Sequence, residues 1–185
     1  MNYEHIKGWS SMNDQGALLE EILNIIDNKE KILMAEVGVY LGRGTAIFDE
    51  VFSKRKIDYE LMAIDNWEGS IEHKIQNIVP EYQQALENLA PISDKVKLIK
   101  ADSRESANMF NDESFDIVYI DASHEYEPVI ADIAAWMPKV KDGGFICGDD
   151  YAPDWSGVIL AVNEYFQGKA YVLGSTRQWY FKKGL

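Results

Sequence analysis

The sequence predicts a single α/β domain, an open sheet of about seven strands with helices on both faces, mostly parallel and closed by a C-terminal antiparallel hairpin. Three observations carry this prediction. Short apolar runs alternate with segments of helical periodicity along the chain. Most of those runs stop at a glycine or an aspartate, as strands that lead into ligand loops do. Near the C-terminus, Gly174-Ser175-Thr176-Arg177 separates two short β-prone runs. With 185 residues and 46% hydrophobic content, the chain suffices for one core but is short for two. Residues 1–185 are therefore expected to form one domain, with 1–30 as an N-terminal helical segment.

Each element follows in order. Ser11-Met12-Asn13-Asp14 reads as a capping box with Asp in place of Glu. Leu18, Leu19, Ile22, Ile25 and Ile26 then recur at helical spacing, and Asn28 ends the helix. The run from Leu33 to Val39 reads as a buried strand. A helix opening at Gly42–Gly44 carries Ala46, Ile47, Val51 and Phe52. The second strand runs from Tyr59 to Asp65, and residues 66–80 are irregular up to Pro80. A helix over 81–90 places Tyr82, Ala85, Leu86 and Leu89 on one face, before a third strand at 96–100 and a fourth at 115–121. Pro128 suits the first turn of the next helix, which carries Val129, Ile130, Ile133 and Trp136. Asp142-Gly143-Gly144 turns into a fifth strand at 145–149, and Asp154 is placed to cap a helix with Val158, Ile159, Val162 and Phe166. Residues 170–173 and 178–182 form the hairpin. Five strands separated by helices imply right-handed crossovers and hence a parallel, Rossmann-like sheet.

Composition narrows the function. A net charge of −13 with scattered basic residues argues against nucleic acid, whose phosphates need clustered Lys and Arg. No apolar run approaches the length of a membrane span. The N-terminal residues are polar, unlike a signal or transit peptide. The one cysteine, Cys147, excludes an internal disulfide and reads as core rather than nucleophile. A cytoplasmic protein is the expectation. Most of the acid is a solvated surface, but carboxylates gathered in a site would favour a cation, either a metal or a sulfonium. Trp155 and Trp179 would either belong to the core or mark an interface in a homo-oligomer.

Open α/β sheets bind ligands at the carboxyl ends of their strands. The first strand ends in Glu36-Val37-Gly38-Val39-Tyr40-Leu41-Gly42-Arg43-Gly44-Thr45, a GxxxGxG loop rather than the GxGxxG of dinucleotide binders. Its glycines let the backbone approach a ligand, and the helix start offers N–H groups to an anion. The second ends in Asp65-Asn66-Trp67, where a carboxylate can accept from two ribose hydroxyls and the indole either covers an adenine or joins the core. After the third, Asp102 and Ser103 either contact an adenine or cap the next helix. The fourth ends in Asp121-Ala122-Ser123-His124 and the fifth in Asp149-Asp150-Tyr151. Neighbouring strands place these ends roughly 5 Å apart. Three carboxylates there repel one another unless a proton or divalent cation joins them, and an all-oxygen set suits Mg²⁺, Ca²⁺ or Mn²⁺ rather than zinc. His124 on the same rim is in reach of a substrate hydroxyl as general base, whereas His5 and His73 have no such company.

Together these ends resemble the class I S-adenosylmethionine-dependent methyltransferases. The loop AEVGVYLGRGTA is similar to that of catechol O-methyltransferases, and IDASHEYEPVIADIAAWMPKVKDGGFICGDDY to the macrocin-type sugar O-methyltransferases. The resemblance covers most of residues 33–183. It implies that Glu36, Gly38, Tyr40, Gly42 and Gly44, with Thr45 of the same loop, surround the methionine part of S-adenosylmethionine. It implies that Asp65, with Asn66 and Trp67 beside it, holds the ribose, and that Asp102 and Ser103 border the adenine. Asp121, Asp149 and Asp150 match metal-ligand positions, Asp121 also bordering the cofactor, and His124 matches a proposed base. The Asp149-Asp150 pair departs from the usual Asp–Asn or Glu–Asp, and residues 1–16 and 66–80 are the segments free to form a lid. The implied activity is metal-assisted O-methylation of a small-molecule acceptor, a sugar or vicinal diol. The alternatives are an inactive S-adenosylmethionine-binding partner subunit and a nicotinamide-dependent oxidoreductase, which Asp65 suits and the glycine spacing does not.

Overall fold

A computed structural model describes residues 3–26, 30–69 and 82–184. A wide helical turn over Met12–Gly16 leads into α1 (Ala17–Ile25). There follow β1 (Lys31–Val37), α2 (Arg43–Arg55), β2 (Asp58–Asp65), α3 (Tyr82–Leu89), β3 (Val96–Lys100), α4 (Ser103–Ala107), β4 (Phe115–Ile120) and α5 (Tyr126–Trp136). The chain closes with β5 (Val140–Gly148), α6 (Ser156–Phe166), β6 (Tyr171–Val172) and β7 (Trp179–Lys182). The end expected at Asn28 and the irregular segment from 70 to 80 lie outside the described residues.

The seven strands form one sheet in the order β3-β2-β1-β4-β5-β7-β6. The first five pair in parallel, and β7 pairs antiparallel with both β5 and β6. Alternation along each strand sends side chains to two cores. Met34, Leu61, Ile117, Tyr119 and Phe145 face one, under α1, α2 and α3. Ala35, Ile64, Val118, Ile120 and Ile146 face the other, under α4, α5 and α6. Covered on both faces, central β4 is buried throughout, which explains its unbroken apolar run. Trp179 is core, while Trp155 is partly buried beside the site described below. No described helix is long and apolar enough to cross a membrane.

Two expectations are corrected. The fifth strand begins at Val140, not after the Asp-Gly-Gly segment: Val140 already pairs with Phe115, and the register shifts before Phe145 joins Ile117. The glycines mark a bulge rather than a turn. Asp154 does not cap α6; a short turn at Pro153–Trp155 intervenes, and the Asp154 carboxylate instead meets Arg177 at 2.8 Å.

The sheet order reverses between β1 and β4, so their carboxyl ends diverge into a crevice. Gly38 makes the approach possible. Its φ is +94°, and a Cβ there would sit 1.9 Å from the Asp121 carbonyl oxygen, so no side chain fits.

Candidate active site

A cavity of about 750 Å³ occupies this crevice, in the range of small-molecule sites. Glu36, Gly38, Tyr40, Gly44, Asp65, Asn66, Asp102, Ser103, Asp121, His124, Asp149 and Asp150 all line it. Three predicted residues do not. Gly42 faces Leu89 behind the loop, and Thr45 is fully buried, donating its hydroxyl to Glu36 Oε2 at 2.6 Å. Trp67 is 5% exposed, packs on Tyr82 at 4.7 Å and donates its indole N–H to the Tyr40 carbonyl at 2.6 Å. Of its two readings the core one holds: the indole braces the loop from behind.

The middle of the site is a shaped loop. Asp65 Oδ2 accepts from the amides of Val39 and Tyr40 at 2.9 and 2.8 Å, and Oδ1 accepts from Trp67 N at 2.7 Å. This carboxylate therefore folds the glycine loop back onto the end of β2. It retains lone pairs for a ligand hydroxyl, since two carboxylate oxygens offer about four acceptor sites. Burial pushes the Glu36 carboxyl up to about 8, against the Thr45 hydrogen bond and with the Asp65 charge adding to the rise. An incoming cation would relieve it.

At one end, Asp102 caps α4: Oδ1 accepts from Arg104 N and Glu105 N at 2.9 and 3.3 Å. Beside it Ser103 meets the indole N–H of Trp136, and Asp132 of α5 completes the wall.

At the other end the acids meet. Asp121, His124 and Asp150 bring ligand atoms within 4.8 Å of one another, a cluster the sequence had assigned to Asp121, Asp149 and Asp150. His124 Nε2 lies 2.7 Å from Asp150 Oδ2, and Trp155 stacks on the imidazole at 4.1 Å. Arg177, from the hairpin turn, meets Asp150 at 3.5 Å. Asp149 stands beside this set rather than in it. Its Oδ2 accepts from Gln15 Nε2 at 2.6 Å and its Oδ1 from the Asp150 amide at 2.6 Å. Burial, and then the Asp149 and Asp150 charges, hold Asp121 well above the usual carboxylate range. Burial and the Asp150 charge push Asp149 up to about 6. Two carboxylates and an imidazole form a donor set that fits a divalent cation, which would discharge this repulsion.

The N-terminal segment supplies lining residues that motif reading did not name. Gly8, Trp9, Ser10, Asp14 and Gln15 form the near wall. Arg43 holds it, donating from Nε to the Ser10 carbonyl at 2.8 Å and from Nη1 to the Ile6 carbonyl at 2.9 Å. Trp9 packs beside Tyr40 at 5.3 Å and stays 68% exposed.

Residues 35–151 match a family described as a methyltransferase domain. The structure of the O-methyltransferase NovP superposes with a TM-score of 0.71 at 14% identity, covering 92% of this chain and 79% of that one. A SAM-dependent O-methyltransferase of Thermotoga maritima gives 0.64 at 13% identity, covering 97% and 68%. At such identities the likeness is one of fold. In sequence, 51 residues are 43% identical to an uncharacterized protein of Acanthamoeba polyphaga mimivirus; the match spans 26% of this chain and 23% of that relative.

Proposed function

This chain belongs to the methyltransferase-domain family, and on that premise we propose that it transfers the methyl group of S-adenosylmethionine to a hydroxyl oxygen of a small molecule, a sugar or vicinal diol, with a divalent cation assisting. One observation carries the reading. The Asp121–His124–Asp150 cluster stands at the ends of β4 and β5, in the same cavity as the glycine loop of β1.

S-adenosylmethionine supplies a methyl group made electrophilic by its sulfonium. The chain's residues fit such a ligand. Glu36, the glycine loop and Asp65 line the cavity; the first two would face the ligand's cationic amino-acid part and Asp65 its ribose. Asp121 and Asp150 would hold the cation, whose chemistry is to lower the pKa of a hydroxyl, and His124 would be left as the base. The acceptor's proton would pass to His124. His124 Nε2 lies 2.7 Å from Asp150 Oδ2, a contact that fixes the imidazole at the cavity wall. Gly8, Trp9, Ser10, Asp14, Gln15 and Trp155 line the same space. Most of the acceleration comes from position and fixed charge.

Calorimetry with S-adenosylmethionine, with and without Mg²⁺, tests the reading on wild type, Asp65→Ala and Asp150→Asn. The expected result is micromolar binding that weakens at least tenfold in Asp65→Ala, with a Mg²⁺ heat that disappears in Asp150→Asn. No cofactor binding in wild type would overturn the proposal; cofactor binding without any Mg²⁺ heat would remove the cation from it.

A further inference from the structure

The cavity end away from His124 is built from the loop after β3 and the first turns of α5. Asp132 lies there on the buried face of α5, among Val129, Ile133 and Trp136. It is 5% exposed, yet it lines the cavity. A carboxyl on an apolar helix face costs free energy unless something binds it. Its partner among the described residues is the Ser103 hydroxyl. Trp136 Nε1 donates to Ser103 Oγ at 3.2 Å, which leaves the hydroxyl proton of Ser103 for the carboxylate. A chain of indole, hydroxyl and carboxylate thus ends at the cavity wall. One hydroxyl fills one of about four acceptor positions on Asp132. Burial pushes this carboxyl up to about 6, so near neutrality it is mostly an anion with acceptor capacity to spare. Asp102 is differently employed: one oxygen caps α4, and the other lies 3.5 Å from the Arg104 guanidinium.

We propose that Asp132 is the specificity-determining acceptor for the exocyclic amino group of the cofactor's adenine, and that Asp102 is a helix cap. This rests on the reading that the cavity takes S-adenosylmethionine with its sulfonium toward Asp121, His124 and Asp150. That orientation sends the nucleoside to the far end, where Ser103 and Asp132 form the wall. An amino group at the purine 6-position offers a donor to the carboxylate. A 6-oxo purine presents a lone pair to the same oxygen and is repelled. A site built to accept a ligand N–H rejects the analogue that lacks it, because the buried acceptor is left unpaired.

Calorimetry with S-adenosylhomocysteine and its inosine counterpart, S-inosylhomocysteine, tests this on wild type, Asp132→Ala, Asp132→Asn and Asp102→Asn. Wild type is expected to prefer the adenosyl compound by at least about tenfold, from a hydrogen bond to a charged group. In Asp132→Ala the preference falls to within about threefold. It falls likewise in the near-isosteric Asp132→Asn, whose carboxamide can turn its NH₂ toward a 6-oxo group. Asp102→Asn keeps the wild-type preference. Undiminished preference in both Asp132 variants, or its loss in Asp102→Asn alone, would overturn the assignment. Equal binding of the two compounds by wild type sinks this inference while leaving the cofactor reading in place. Wild type that binds neither sinks both.

Discussion

His124 is held by three things: the Asp150 carboxylate at Nε2, the Trp155 indole against its ring, and the backbone of the loop after β4. A side chain fixed in this way has little rotamer freedom to lose when a substrate arrives. His124→Ala is therefore expected to lower turnover about 10²–10⁴-fold, the usual worth of a positioned acid–base group. Cofactor affinity should stay within about threefold, because His124 stands beyond the glycine loop. Steady-state rates on any accepted hydroxyl, beside calorimetry, check this; unchanged turnover would take His124 out of the chemistry. The residue types of this corner were legible in the sequence, and their partition was not. Asp149 and Asp150 lie just past the end of β5, and Asp150 turns the chain there with a φ of +61°, in the left-handed region that sequence alternation does not foretell. One therefore joins His124 while the other turns to Gln15. The sequence leaves Trp67 with two readings for a related reason: its φ of +54° reverses the chain and swings the indole behind the loop, which decides for the core one.

Elements meet at this site through close backbone contact, and Gly157 in the first turn of α6 is the clearest case. A Cβ there would fall 2.4 Å from the His124 carbonyl oxygen and 2.7 Å from the Tyr126 amide. Both neighbours are backbone, so neither can rotate away. Gly157→Ala should push α6 and the His124 loop apart, costing about 1–3 kcal/mol as overpacked sites do. Turnover should fall while binding of S-adenosylhomocysteine, at the far side of the cavity, holds. Chemical denaturation and calorimetry read the two effects, and a variant as stable and active as wild type would show that the loop yields freely. The strands that carry these loops were readable because each is an apolar run bounded by polar or glycine residues. The fifth strand was read short because a bulge and a turn use the same glycines. The wall at 8–15 had no local signature. It is fixed by Arg43 and Asp149, which are distant in sequence, so only the folded chain brings them together.

At the scale of the whole molecule, the site sets how stability responds to pH. Burial first, and neighbouring carboxylates in part, raise Glu36 to about 8 and Asp149 and Asp132 to about 6, and Asp121 stands well above its usual range. In the unfolded chain these groups titrate near 4. Between about pH 4 and 8 the folded protein thus holds more protons than the unfolded one, so stability must fall as pH rises. The contribution is complete below about pH 4, declines through 6 and is lost beyond 8. The lowered carboxyls of Glu60 and Asp102 act in the opposite sense, but only below about pH 4, outside this window. A net charge of −13 adds self-repulsion in the same direction as the raised acids. Urea denaturation should therefore give a stability at pH 8.5 on the order of 2 kcal/mol below that at pH 6. Glu36→Gln should flatten the upper part of that slope, since it removes the acid that titrates last. Millimolar Mg²⁺ at pH 8.5 should restore stability to wild type and not to Asp150→Asn, because a ligand that binds only the folded state stabilises it in proportion to its occupancy. A flat profile from pH 6 to 8.5 would mean that the acids of this cavity ionise without penalty, and the electrostatic demand for a cation would go with it.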